Sequence, residues 1–508
     1  MKRTIVFLAA LASLCFFGAE SYGDVRLPNT FSDNAVLQRD LPVNVWGWCD
    51  PGEVVSVSFN GQTVKSCGCQ KGKWTVQLPA SPACSEGKEL IVKGKNEIRL
   101  QNVVVGEVWV CGGQSNMEQP LNSWGQPRNA CSDEEISGDY SFIRFNRASR
   151  LLSPEPLDDL QTSGWTLCKD GAQKSCTAAG FHFAVRLHKE LNVPIGLIDS
   201  NWGGSRIDWW IPDAGWKEIP ELASILPALE KARNLYLKSE GYKKPTKGIA
   251  RDVYKKVSPD LIGSMYNAMM APWIKYTIRG AIWYQGESNA GEKEAYYYKQ
   301  KALIQEWRKV WKQGDFPFIW VQLANFTAPK DNPADTGNWP GLRDGQTKSL
   351  DIPNTGQAVI IDIGEEKDIH PRNKFDVGNR LALWALAKTY GIKVNYQSPT
   401  YQNIKIEGNK AVLTFDHVGE GLIVGKKEGR EPVAVDKEGK LARFAVAGAD
   451  QKWVWADAKI VGKNTIVVSS DQVPAPVAVR YAWQMNPSGC NLYSADGLPA
   501  TPFRTDQW

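Results

Sequence analysis

Four short polar segments of this 508-residue chain each follow an apolar β-forming run, and their residue types suit acyl transfer. Gly112-Gly113-Gln114-Ser115-Asn116-Met117 follows the run at 103–111, and Asn201-Trp202-Gly203-Gly204-Ser205 follows 195–200. Gly286-Glu287-Ser288-Asn289 comes after 281–285, and Asp368-Ile369-His370-Pro371 after 358–363. A serine hydroxyl attacks an ester only when a base takes its proton, and histidine is the base suited to neutral pH. Ser115 is therefore the candidate nucleophile and His370 the candidate base. A carboxylate must hold the imidazole in one tautomer and stabilise its charged form, and Asp368 and Glu287 both qualify. The oxyanion needs preorganised donors. Candidates are the backbone N–H of Ser115, a backbone N–H of the Gly203-Gly204 loop, with Gly204 favoured, and the side-chain amide of Asn289. Gln114, Arg206 and Trp209 are candidates for substrate contact: Arg206 could pair with an acidic sugar, and Trp209 with Trp210 could floor a sugar subsite. Each piece also has a plainer reading. A Gly-Gly-x-Ser turn is common, Asn289 could cap a helix, and the Arg and Trp residues could pack the sheet edge. What raises the chemical reading is that all four segments fall at strand ends.

Ligands of open α/β sheets bind beyond the carboxyl ends of the strands, so these segments need a sheet that gathers those ends. Between residues 103 and 392 apolar β runs alternate with helical stretches. Phe181, Ala184, Val185 and Leu191 share one face of a helix over 181–191, as a 3.6-residue period requires. Further helices are predicted over 293–312 and 374–390, and a further strand over 316–323. This alternation predicts an α/β unit with a doubly wound parallel sheet. A helical insertion rich in Lys and Glu is expected over about 212–260. Before this unit, β runs at 43–48, 54–59, 63–65, 73–78 and 97–100 are punctuated by turns such as Asn60-Gly61. After it the β pattern returns. The expected organisation is a signal peptide at 1–23, an N-terminal β-sandwich-like domain at 24–102, the α/β hydrolase unit at 103–392, and a C-terminal β-sandwich-like domain at 393–508.

The signal peptide follows from Lys2 and Arg3, an apolar run over 5–18 too short to span a bilayer, and the small residues after it. Export to the periplasm or beyond is the expectation, and no later stretch is apolar enough to cross a membrane. A net charge of +5, with Lys and Arg scattered among Asp and Glu, argues against a nucleic-acid partner. One of the 10 cysteines, Cys15, lies in the leader, which leaves an odd number, and Cys168 with Cys176 is a possible local pair. Cys67-Gly-Cys69 lacks zinc-site spacing and the four histidines form no ligand pair, so no metal is expected. The 21 tryptophans point weakly to sugar stacking.

The blocks Gly113-Gln114-Ser115-Asn116-Met117, Ile195-Gly196-Leu197-Ile198 with Trp202-Gly203-Gly204, Ile282-Trp283-Tyr284-Gln285-Gly286-Glu287-Ser288-Asn289-Ala290 and Asp368-Ile369-His370-Pro371 resemble the sialate O-acetylesterases of the SGNH hydrolase superfamily. The likeness runs through about residues 103–390. It implies the roles given above for Ser115, the glycine loop, Asn289 and His370, and hydrolysis of acetyl esters on sugars without metal or organic cofactor. The superfamily places its acid three residues before the histidine, where this chain has Lys367; Asp368 stands two before, with Glu365 and Glu366 nearby. Related acetyl-xylan esterases use the Glu of the Gln-Gly-Glu-Ser segment, here Glu287, so the acid stays open between Asp368 and Glu287. The substrate stays open between acetylated sialic acids and acetylated xylan or xyloglucan. A degenerate hydrolase that only binds carbohydrate is a further alternative. A lipid or peptide hydrolase is disfavoured, because Met117 stands where a Gly-x-Ser-x-Gly elbow needs glycine.

Overall fold

The computed structural model describes residues 24–122, 131–227 and 262–508, together with positions 230, 231, 234, 238 and 251. The expected signal peptide and most of the expected insertion lie outside the described residues. Seven strands open the chain: β1 (Val36–Gln38), β2 (Val43–Trp48), β3 (Val54–Phe59), β4 (Gln62–Cys67), β5 (Lys73–Leu78), β6 (Cys84–Lys93) and β7 (Glu97–Gly113). Alternation of buried and exposed residues along β3 and β5 is the signature of a sheet with one wet face. β6, with its polar Ser85-Glu86-Gly87-Lys88-Glu89 stretch, carries no such signal in the sequence and is placed by pairing with β3 and β7.

β7 links this region to the rest of the molecule. Its 17 residues begin half exposed and end wholly buried. The runs at 97–100 and 103–111 are one strand, because the polar break between them is satisfied rather than looped out. Asn102 takes a positive φ of 56° while Arg144 donates to its carbonyl and its own amide donates to Asn34. The second half of β7 lies in the middle of a large mixed sheet with β8 (Tyr140–Ala148), β9 (Thr162–Cys168), β10 (Ile195–Asn201), β11 (Gly280–Tyr284), β12 (Phe318–Val321) and β13 (Thr355–Ala358). The order is β13-β12-β11-β7-β10-β8-β9, parallel except for the antiparallel pair β8–β9. Gly113 at the end of β7 pairs with Asn201 on one side and Tyr284 on the other, so three strand ends finish level. That register places three of the four polar segments side by side.

The helix expected over 181–191 spans Ala178–Leu191, started by the Thr177 hydroxyl accepting from Gly180 N–H and ended at Asn192 with φ 52°. The helix expected from 293 begins at Tyr296, because Lys293 takes a φ of 51° and interrupts it. Helix Lys374–Trp384 is N-capped by Asn373 and packs on helix Ala178–Leu191. Seven tryptophans (Trp109, Trp210, Trp216, Trp273, Trp283, Trp307 and Trp320) are under 2% exposed and many of the others are buried, so most of the tryptophan signal is core rather than sugar surface. Truncating one of them to Ala costs about 3–5 kcal/mol.

The apolar run at 358–363 behaves differently from its expected strand. Only Ala358 extends β13; the next residues leave the sheet, with Ile360 in the central core and Val359 and Ile361 in a second core. That second core belongs to the C-terminal region, where Leu413, Phe415, Ile466, Val468 and Tyr481 are buried together. It is built from antiparallel strands, among them Thr400–Glu407, Lys410–Asp416 and Thr465–Ser469 in one sheet and Phe444–Ala447 with Ala478–Tyr481 in another.

Candidate active site

Gly113 ends β7 at φ 137°, and a Cβ there would stand 2.2 Å from the Tyr284 carbonyl oxygen, so no other residue lets β7 finish this close to β11. Gln114 N–H then donates to that same carbonyl at 2.9 Å, and Ser115 opens the one-turn helix Ser115–Glu118. His370 Nε2 lies 2.9 Å from Ser115 Oγ. On the other side of the ring, Nδ1 lies 3.1 Å from Asp368 Oδ1, which also accepts the His370 backbone N–H at 2.9 Å. With Asp368 accepting at Nδ1, Nε2 is left to accept a proton from the serine. His370 and Asp368 are part-exposed, at 21% and 37% of their side chains, so a molecule from solvent can reach them.

Glu287 is placed elsewhere. It is part-buried, and its Oε1 accepts from Asn116 Nδ2 at 2.5 Å. Burial raises its pKa, with the Asn116 bond and the Lys374 charge opposing. Between the two candidate acids, it is Asp368 that the fold brings to Nδ1.

The glycine loop reaches Ser115 directly. A Cβ on Gly203 would stand 3.4 Å from the Ser115 Cβ, and Gly203 N–H is held by Glu118 Oε2. Gly204 follows at φ 69° with open space around its Cβ position. Among the described residues, neither the Ser115 N–H, uncapped at a helix start, nor the Gly204 N–H meets an acceptor. Gln114 uses its Oε1 for Gln285 Nε2 at 3.0 Å and Ser288 N–H at 3.3 Å, which leaves its amide N–H groups uncommitted among the described residues.

Asn289 is a correction. It is 1% exposed, and its amide nitrogen donates to Asp208 Oδ2 at 2.9 Å and Glu292 Oε1 at 3.1 Å. Its oxygen accepts from Ile207 N–H at 3.0 Å and Gln285 Nε2 at 2.8 Å. With both amide hydrogens spent, no donor remains for an oxyanion, and Asn289 instead ties the glycine loop to the turn after β11. Arg206 is committed to the same cluster. Its guanidinium holds the Ser288 carbonyl at 3.0 Å, Asp208 at 3.2 Å and Glu292, so it is not open to a sugar carboxylate. Lys299 Nζ completes the cluster with Asp208 at 2.5 Å and Glu292 at 2.8 Å. Burial pushes the Asp208 carboxyl up, but Lys299 and Arg206 outweigh it and hold it below its ordinary value. Trp210 is core, its Nε1 donating to Ser205 Oγ at 3.0 Å, whereas Trp209 is half-buried beneath Arg251.

A cavity of about 520 Å³ lies beside the His370 loop, between residues 362–365 and 372–373 on one side and 427–430 on the other. Arg372 lines it, 64% exposed, with only its Nε and backbone N–H engaged, both by Glu365. Among the described residues the nine cysteines form no disulfide. One group of possible metal ligands comes together there, Cys131, Glu135 and His182, but Arg430 holds both Glu135 oxygens, at 2.7 and 2.8 Å. No helix of the described residues is long and apolar enough to cross a membrane.

Three residues outside the expected set shape the site: Asn116, Glu118 and Lys374. Asn116 stands within a quoted block; Lys374 carried no signal beyond its place four residues after His370.

A family profile described as a carbohydrate esterase, sialic acid-specific acetylesterase, matches residues 242–385. The chain is 28% identical to the sialate O-acetylesterase of Homo sapiens over 94% of its length and 92% of that protein's. The sialate O-acetylesterase of Mus musculus is likewise 28% identical, over 93% of each chain. The crystal structure of a carbohydrate acetylesterase from Xanthomonas citri superposes with a TM-score of 0.81 at 37% identity, covering 96% of this chain and all of that one. Likeness over nearly the whole length, in sequence and in fold, carries the conclusion that this chain is a carboxylic ester hydrolase belonging to the sialate O-acetylesterase family of carbohydrate esterases.

Proposed function

We propose that this protein is an exported serine esterase that removes O-acetyl groups from sialic acids through an acetyl-enzyme on Ser115. The observation that carries the reading is the 2.9 Å contact from Ser115 Oγ to His370 Nε2, with Asp368 on the far nitrogen. Ser115 Oγ attacks the acetyl carbonyl as His370 Nε2 takes its proton. The N–H groups of Ser115 and Gly204, left without acceptors, receive the oxyanion, and Gln114 offers a further amide to a substrate oxygen. The tetrahedral intermediate collapses, the sugar oxygen leaves with the proton from His370, and acetyl stays on the serine. Water, deprotonated by the same imidazole, then releases acetate and restores Ser115. No step requires a cofactor.

The anionic sugar is supported by the open guanidinium of Arg372 in the cavity two residues from His370; a carboxylate is the group that fits its free edge. The names of the human and mouse relatives agree. Residues 103–392 then form the SGNH-type hydrolase unit, with β-sandwich-like regions at 24–102 and 393–508. The basic pair, apolar run and small residues within 1–23 support export.

The test measures acetate released from O-acetylated sialosides, acetylated xylan and acetylated xyloglucan in parallel, with wild type and Ser115→Ala. The expected result is preference for the sialoside and loss of roughly 10⁴-fold or more of kcat in Ser115→Ala without loss of folding. Equal turnover by the serine variant would overturn the mechanism, and preference for xylan or xyloglucan would overturn the substrate.

A further inference from the structure

Lys374 is a fully buried lysine, and burial lowers its pKa to about 7 although Glu287, Asp368 and Glu365 pull the other way. A charge held in the interior must be matched by fixed partners. Its ammonium donates to the Pro371 carbonyl at 2.6 Å and to Asn116 Oδ1 at 2.8 Å, and lies 5.8 Å from the centre of the Tyr284 ring. Asn116 Nδ2 in turn donates to the Ile369 carbonyl at 3.1 Å and to Glu287 Oε1 at 2.5 Å. The carbonyls on either side of His370 are thus both gripped, one by Asn116 and one by Lys374. Asn116 is the residue next to Ser115, so one side-chain amide joins the nucleophile turn to the base loop.

The chemistry of this chain of contacts is one-directional. An ammonium only donates, so it forces the oxygen of Asn116 toward itself; Glu287 only accepts when ionised, so it forces the nitrogen the other way. The amide orientation that reaches Ile369 is set from both ends. We infer that Lys374 is a positioning residue, which with Asn116 and Glu287 clamps the His370 loop to the Ser115 turn and holds base and nucleophile in register. The clamp rests on the esterase reading above and adds to it a role for three residues, Asn116 and Lys374 buried and Glu287 part-buried, that act through the loop backbone rather than on the ester. It also accounts for Glu287 without making it the acid that orients the imidazole.

The experiment measures kcat, KM and Tm with 4-nitrophenyl acetate for wild type, Ser115→Ala, Lys374→Met, the double variant Lys374→Met/Glu287→Gln, and Asn116→Ala. The double variant leaves no uncompensated charge in the interior, and Asn116→Ala keeps both charged residues, so either carries the test where Lys374→Met fails to fold. The expected result is a fall in kcat of about 10²-fold, the scale set by a misplacement of about 1 Å. KM stays within about twofold, because binding is not what the clamp serves. The double variant is no slower than Lys374→Met alone, since both break one device. Folded variants with wild-type kcat, or with the whole loss in KM, overturn the clamp. Retained turnover in Ser115→Ala overturns the esterase reading instead, so the two failures are told apart in one assay.

Discussion

Two polar clusters lie on either side of the end of β7, and they differ in what they leave unused. On the β10–β11 side, Asp208, Asn289, Glu292, Lys299 and Arg206 are drawn together until the Asn289 amide and the Arg206 guanidinium have every edge engaged. On the other, Ser115, His370 and Asp368 form a short line with spare capacity around it: two backbone N–H groups, a Gln114 amide and an arginine edge. Both clusters carry residues that look chemical in the sequence. The first cluster has no donor left on Asn289 or Arg206 and ties the loops together; the second keeps donors that the proposed substrate would use. Reading a site means counting what is left over as well as what is present.

This contrast can be broken from either side. The largest effect is expected on the open side. Asp368→Asn keeps the shape but inverts the hydrogen bond at Nδ1, and kcat should fall by roughly 10³- to 10⁴-fold with Tm little changed. Steady-state rates on an acetyl ester check this, and a fall of less than tenfold would return Glu287 to the role of acid. On the saturated side the effect should appear in stability. Asn289→Ala leaves Asp208, Gln285 and the Ile207 N–H short of partners in the interior, at about 3 kcal/mol by urea unfolding. Its kcat should fall less than that of Asp368→Asn. The reverse ranking would show that Asn289 is a donor to the reaction after all.

The smallest effect concerns the two histidines. His182, unlike His370, sits in an enclosed cluster, and burial lowers its pKa to about 4, with Glu135 opposing and Arg430 assisting. A histidine with a folded pKa below its unfolded value binds fewer protons when folded, so stability is greatest above about 6.5 and falls as pH drops from there to about 4. The cost across that window is on the order of 3 kcal/mol at most. His182→Gln should flatten the fall in urea midpoint between those pH values; a slope unchanged from wild type would show that other groups govern it.

The residues of the candidate site were largely legible from residue type, and for three of the four segments from their place at strand ends. Ser115, His370 and Asp368 come together as expected. What the sequence could not convey was direction: the Asn289 amide has the right chemistry and stands on the right loop, yet its nitrogen turns into the interior. Lys374 read as the first residue of a helix, and only the fold shows it reaching back beneath the His370 loop. Strands β7, β10, β11 and β12 were legible from their apolar runs, whereas β6, β8 and β13 were not: β6 is set by pairing with β3 and β7, β8 by pairing with β10 and β9, and β13 ends where the apolar run begins. The choice between Asp368 and Glu287 needed distance, which spacing along the chain does not supply.

One further consequence follows from the run at 358–363, whose side chains divide between two cores. Val359 and Ile361 pack in the core built by the C-terminal sheets, so the stretch leading to His370 is bedded partly on those sheets and partly on the central core that holds Ile360. During synthesis the chain emerges from its N-terminus. The Ser115 turn therefore has its strand neighbours β10 and β11 before the C-terminal part of the His370 loop's seat has emerged. The seat of the His370 loop thus draws on residues far apart in the chain, so the C-terminal sheets contribute to the shape of the site without lining it.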